Sequence, residues 1–105
     1  MNPSIWGPKA WFFLHSITFN YPEYPSESDK EIYNDFFESL SHILPCEKCK
    51  YHYKDSLVKY PIQLDTRDEL IQWMIDIHND VNIRNTYLQA PKSENIMLYV
   101  NLNLV

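Results

Sequence analysis

A chain of 105 residues is long enough for one domain with a modest core. With a formal net charge of −5, nothing in the composition suggests the basic face that nucleic-acid binding usually needs. The single glycine, Gly7, excludes Gly-rich phosphate loops and the dinucleotide fingerprint, and disfavours tight-turned β architecture. No apolar run reaches the length of a membrane span. The apolar stretch before His15 lacks a small-residue cleavage site, and Pro3 and Pro8 precede it, so no secretory signal is legible. Aromatics make up 15 % of the chain, which reads first as a small core filled by large rings.

The first predicted helix spans residues 8–20, with Gly7 as cap and Pro8 at the first helical position. Trp11, Leu14, His15 and Thr18 share one face of it, and Tyr21-Pro22 ends it. The second helix spans residues 26–44, capped by Ser26 or Ser28, with Asp29 and Glu31 in the first turn. Ile32, Tyr33, Phe36, Phe37, Leu40, Ile43 and Leu44 form its wide apolar stripe, and Pro45 stops it. The third helix spans residues 46–59, with Cys49, Tyr53 and Leu57 four apart, and Tyr60-Pro61 closes it. The fourth spans residues 66–84 behind a capping box at Thr66-Arg67-Asp68-Glu69. Leu70, Met74, Ile77 and Val81 give it a core stripe, beside a more polar one of Ile71, His78, Asn82 and Asn85. Residues 94–102 read as a short fifth helix or a strand. The pattern predicts an all-α four-helix bundle in one domain over residues 1–105, either complete or one part of a longer protein.

Cys46-Glu47-Lys48-Cys49 holds the only two thiols. A disulfide between them closes too short a loop to be a strong staple, so the pair points to redox work or metal binding. Cys46 stands where a helix begins, where free N–H groups and the positive dipole end favour a thiolate. Lys48 and Lys50 add positive charge, partly offset by Glu47. In this geometry the first cysteine is the exposed one and the second lies a turn deeper, which suits thiol–disulfide exchange at Cys46. A thioredoxin-like context needs a strand before the motif, and the preceding segment is helical. Zinc is a real alternative, since Cys46, Cys49, His52 and His78 could supply four tetrahedral ligands to a small interaction module. A third reading is a non-catalytic helical dimerisation domain.

Three segments taken together are more specific. They are Trp6-Gly7-Pro8-Lys9-Ala10-Trp11-Phe12-Phe13-Leu14-His15, then Pro45-Cys46-Glu47-Lys48-Cys49 through Tyr53, then Trp73 through Asn82 with its His78-Asn79-Asp80-Val81-Asn82 run. In this order the chain resembles the Erv/ALR family of FAD-linked sulfhydryl oxidases, in particular its short viral members. The resemblance implies a four-helix bundle that holds FAD, a short fifth helix and a homodimer. By matching position, Gly7, Trp11 and His15 would serve the cofactor from the first helix, with Cys49 against the flavin ring and Tyr53 on the same wall. His78, Asn79, Val81 and Asn82 would contact FAD from the fourth helix, Arg84 would approach the diphosphate, and Tyr99 would pack on the adenine. The implied catalytic pair is Cys46 and Cys49. Protein dithiols would reduce their disulfide, and electrons would pass through FAD to oxygen, giving hydrogen peroxide.

The chain also departs from that pattern. Ile75 and Lys92 stand where many relatives carry a structural disulfide, and Thr86 and Tyr87 replace a glycine and a lysine. No second cysteine pair is present to relay electrons from bulky substrates.

Overall fold

The computed structural model describes residues 1–84. It contains α1 (Pro3–Phe19), α2 (Glu27–Ile43), α3 (Glu47–Lys59) and α4 (Arg67–Arg84), and no strand among the described residues. The expected all-α bundle is therefore found. The expected fifth element, Asn85 and Tyr99 lie outside the described residues.

The starts of α2, α3 and α4 follow local signals. Ser26 Oγ accepts from the Asp29 amide while the Asp29 carboxylate accepts from the Ser26 amide, a closed capping box. Thr66 Oγ1 accepts from the Glu69 amide in the same position before α4. Leu44, ahead of Pro45, turns out of helical conformation (ψ 136°), as the proline ring requires of its predecessor.

α1 starts five residues earlier than the sequence predicts. Asn2 caps it, its side-chain oxygen accepting from the Ser4 amide and hydroxyl, and Pro3 occupies the first turn. Asparagine is a stronger N-cap than glycine, so Asn2-Pro3 outcompetes Gly7-Pro8 as the start signal. Pro8 is then inside the helix, where it forgoes one backbone hydrogen bond.

Packing runs from α1 to α4, from α4 to α3 and from α3 to α2. Lying between two partners, α4 is buried nearly all round, and Trp73, Ile75 and Asp80 join the stripes read from its sequence. The core gathers Leu14, Tyr21, Phe37, Leu40, Tyr53, Leu70, Trp73, Met74 and Ile77. Its rings meet edge to face, as with Phe37 and Trp73 at 5.0 Å and 68°. Each buried polar handle finds a carbonyl: Trp73 Nε1 donates to Tyr60 O, and the Tyr21 hydroxyl donates to Leu64 O.

The stripe on α2 is narrower than expected. Tyr33, Phe36, Phe37, Leu40 and Leu44 join the core, but Ile32 and Ile43 are 60 % and 64 % exposed. They stand roughly 100° round the helix from the line of Tyr33, Phe37, Leu40 and Leu44.

Candidate active site

The up-and-down order of the helices brings four helix ends together: the start of α1, the end of α2, the start of α3 and the end of α4. A cavity of about 470 Å³ opens between them. That lies within the size range of small-molecule and cofactor clefts, roughly 300–1,000 Å³.

Cys46 and Cys49 form a disulfide that lines this cavity. Cys46 is itself the N-cap of α3, its sulfur accepting from the Cys49 amide at 3.2 Å. Folding back over the first turn leaves Cys46 half-buried like Cys49, rather than outside it as the sequence suggested. Lys48 lines the cavity beside the pair, while Lys50 is held by Glu47 at 3.0 Å.

Gly7, Trp11, Tyr53, Val81 and Asn82 also line the cavity, so five expected cofactor residues from three helices meet at one space with the disulfide. Tyr53 is fixed there because its hydroxyl donates to Phe37 O at 2.6 Å. Burial, with the Glu38 charge, pushes that phenol well above its usual range. At Gly7 an added Cβ would meet no atom within 4 Å although the residue is buried, so the backbone presents a flat wall to open space.

His15 and His78 do not line the cavity but pack beneath Trp11. The Trp11 ring stacks on His78, 3.9 Å between centroids and 11° between planes. His15 Nε2 and His78 Nδ1 share a hydrogen bond of 2.8 Å, and both rings are fully buried. Burial lowers His15 to about 4, and burial together with His15 lowers His78 to about 3. Both are neutral at physiological pH. Asn79 is half-buried next to them on α4.

Arg84 sits in a carboxylate network. It pairs with Asp55 and reaches Asp80 Oδ2 at 3.5 Å, while Asp80 also accepts from Ser56 Oγ at 2.5 Å and lies 3.5 Å from Lys59. Burial would raise the Asp80 carboxyl, but the Ser56 hydrogen bond, Lys59 and Arg84 outweigh it and hold Asp80 below the usual range. The network ties the α3 that carries the disulfide to the α4 that carries Asn82. Asp80 and Ser56 were not singled out in the sequence, where nothing local marks their pairing.

The zinc alternative finds no support. The two thiols are bonded to each other, His78 is bonded to His15, and no three candidate ligands converge among the described residues. His52 instead lines the cavity, and burial, Arg84 and Lys48 lower its pKa.

The residues present fit a flat, partly polar cofactor. Trp11, Tyr53 and Gly7 offer planar and close-approach surfaces, and Trp6, in the same wall, has a buried indole nitrogen with no hydrogen-bond partner among the described residues. Unpaired buried polar atoms are uncommon and mark places where a ligand or water completes the structure.

Residues 8–97 match the model of the Erv1/Alr family. The chain is 46 % identical over 85 residues to a probable FAD-linked sulfhydryl oxidase of Acanthamoeba polyphaga mimivirus, covering 78 % of this chain and 59 % of that protein. It is 34 % identical over 86 residues to the mitochondrial FAD-linked sulfhydryl oxidase ERV1 of Saccharomyces cerevisiae, covering 82 % of this chain and 44 % of that one. This chain thus spans about half the length of the curated relatives it matches. Among solved structures it is similar to the FAD binding domain of Erv1 from Saccharomyces cerevisiae, with a TM-score of 0.85 at 26 % identity over 100 % of this chain and 99 % of the other. The chain belongs to the Erv1/Alr family.

Proposed function

We propose that this protein is an FAD-linked sulfhydryl oxidase that converts protein dithiols to disulfides through Cys46 and Cys49. The observation that carries the reading is a disulfide at the start of a helix, opening onto a cavity walled by Trp11, Tyr53 and Asn82. FAD, when bound, supplies a two-electron acceptor that oxygen returns to the oxidised state with release of hydrogen peroxide. Gly7, Trp11, Tyr53, Val81 and Asn82 would hold it, with His15, His78 and Asn79 beneath and beside them.

The residues of the chain do the thiol chemistry. A substrate thiolate attacks Cys46 Sγ, the Cys46–Cys49 bond breaks, and Cys49 leaves as a thiolate. The second substrate thiol attacks the substrate sulfur of the mixed disulfide and expels Cys46, so the substrate leaves oxidised by two electrons. The start of α3 favours the anionic form of both sulfurs through its free amides and dipole. The Cys49 amide already points at Cys46 Sγ, and Lys48 adds positive charge at the cavity. The neutral His15–His78 pair keeps positive charge out of the wall beneath Trp11.

A homodimer is part of the proposal. Ile5 and Phe13 on α1 are 62 % and 61 % exposed, and Ile32 and Ile43 on α2 are similarly bare. Clusters of exposed large apolar side chains favour self-association. Phe13→Glu should shift the protein toward monomer in size-exclusion chromatography, and an unchanged elution volume would refute that surface.

The test of the activity is direct. Purified protein should be yellow and should consume oxygen and form peroxide when given dithiothreitol. A folded, colourless protein that cannot be reconstituted with FAD would refute the assignment.

A further inference from the structure

Asp80 is an acid placed where an apolar residue would pack. It is 7 % exposed, on an α4 that is buried nearly all round. Its Oδ2 accepts from Ser56 Oγ at 2.5 Å and from Arg84 Nε at 3.5 Å, and its Oδ1 lies 3.5 Å from Lys59 Nζ. Asp55 pairs with Arg84 and lies 3.9 Å from Lys59, so two acids face two bases and the network carries no net charge. Replacing a buried ionic cluster by apolar groups of similar volume is often neutral or stabilising. Stability alone therefore does not account for an acid at this position. What directional bonds add to apolar packing is a single register between two helices.

That register joins two walls of the cavity. Ser56 follows Cys49 by seven residues, two turns along the same face of α3, with Tyr53 between them. Asp80 directly precedes Val81 and Asn82, which line the cavity from α4. The Ser56–Asp80 bond thus ties the helix face that carries Cys49 and Tyr53 to the helix end that carries Val81 and Asn82.

We propose that Asp80 is a positioning residue of the redox site: through Ser56 it fixes α3 against α4, and so sets the separation between Cys49 and a flavin held by the α4 wall. The inference rests on the flavoenzyme reading above. The step it governs is the one in which the two thiols give up two electrons and two protons as their disulfide re-forms, and FAD takes up the electron pair. The attack of a substrate thiolate on Cys46 does not use the α4 wall and is indifferent to this register.

Ser56→Ala removes one hydrogen bond and keeps every charge, and circular dichroism with denaturant melting checks its fold. In the FAD-stripped variant, dithiothreitol should reduce the disulfide at the wild-type rate. In the FAD-loaded variant, mixed anaerobically with saturating dithiothreitol, flavin bleaching should be about tenfold slower, since small misplacements of reacting groups are costly. Asp80→Asn, which keeps an acceptor for the Ser56 hydroxyl, should lose less than Ser56→Ala. In a Cys46→Ser background, where the disulfide cannot re-form, the long-wavelength absorbance of the Cys49 thiolate against oxidised flavin should weaken when Ser56→Ala is added. Unchanged bleaching and unchanged absorbance in folded Ser56→Ala would overturn the proposal. So would an equal slowing of disulfide reduction in the stripped variant, which marks only a weakened α3. Asp80→Asn bleaching more slowly than Ser56→Ala would overturn it too, by assigning the effect to charge rather than to the bond. A wild type that binds no FAD refutes the flavoenzyme reading first and this inference with it.

Discussion

His15 Nε2 and His78 Nδ1 lie 2.8 Å apart in full burial, so one ring must donate to the other, and burial disfavours a second proton on either. The pair is a device for staying neutral. The two folded values, about 4 and about 3, lie below the ordinary 6.5. Below pH 6.5 the unfolded chain takes up protons at both sites and the folded chain does not. The stability these groups contribute is therefore complete above about pH 6.5 and falls as the pH drops toward 4 and then 3. Urea denaturation of the cofactor-free protein should lose roughly 1.4 kcal/mol per pH unit for each ring as pH falls from 6 to 5. His15→Gln should flatten that slope, and an equal slope in the variant would contradict the assignment.

Cys46 has a second duty as the N-cap of α3. Serine is among the preferred caps, whereas alanine has no acceptor. Under reducing conditions Cys46→Ser should be close to wild type in denaturant, while Cys46→Ala should be less stable by about 1 kcal/mol. Both should be inactive. Equal stability of the two variants would show that the sulfur does not cap the helix.

Gly7 separates folding from binding. A methyl group there meets nothing within 4 Å, and glycine inside a helix is less favourable than alanine by about 0.5–1 kcal/mol. Gly7→Ala should raise the melting temperature of the cofactor-free protein and weaken FAD, because the new Cβ occupies cavity space. A variant that gains stability and keeps full FAD affinity would place the ring elsewhere.

The Asp80 network should be more valuable than its surface neighbour. Asp80→Ala strands Ser56 and removes a partner from Lys59 and Arg84, at a cost of about 2–3 kcal/mol. Asp55→Ala, half-exposed, should cost less than about 1 kcal/mol. Chemical denaturation of the two variants orders them.

Much of this was legible in the sequence where a local signal existed. Ser26, Pro45, Thr66 and Tyr60-Pro61 bound three helices to within a residue, because caps and prolines act on their immediate neighbours. The start of α1 was misread because two prolines compete for one role and the better cap, Asn2, lies further upstream. The C-x-x-C pair, Trp11 and Tyr53 were found because their types carry chemistry. Leu40, Leu44, Met74 and Ile77 were read as core, and the structure puts them against the cavity as well. Helical periodicity identifies a buried face without saying whether it meets a neighbour or a space. Asp80 was missed for a related reason: its role depends on partners distant in sequence.

The central proposal is that Cys49 is the member of the pair that would pass the substrate's electrons to a bound flavin. Anaerobic mixing of dithiothreitol with FAD-loaded protein tests it most directly, followed by the flavin's visible absorbance. The wild type should bleach rapidly, while Cys49→Ser, with its FAD still bound, should stay yellow. Bleaching of Cys49→Ser at the wild-type rate would contradict the account.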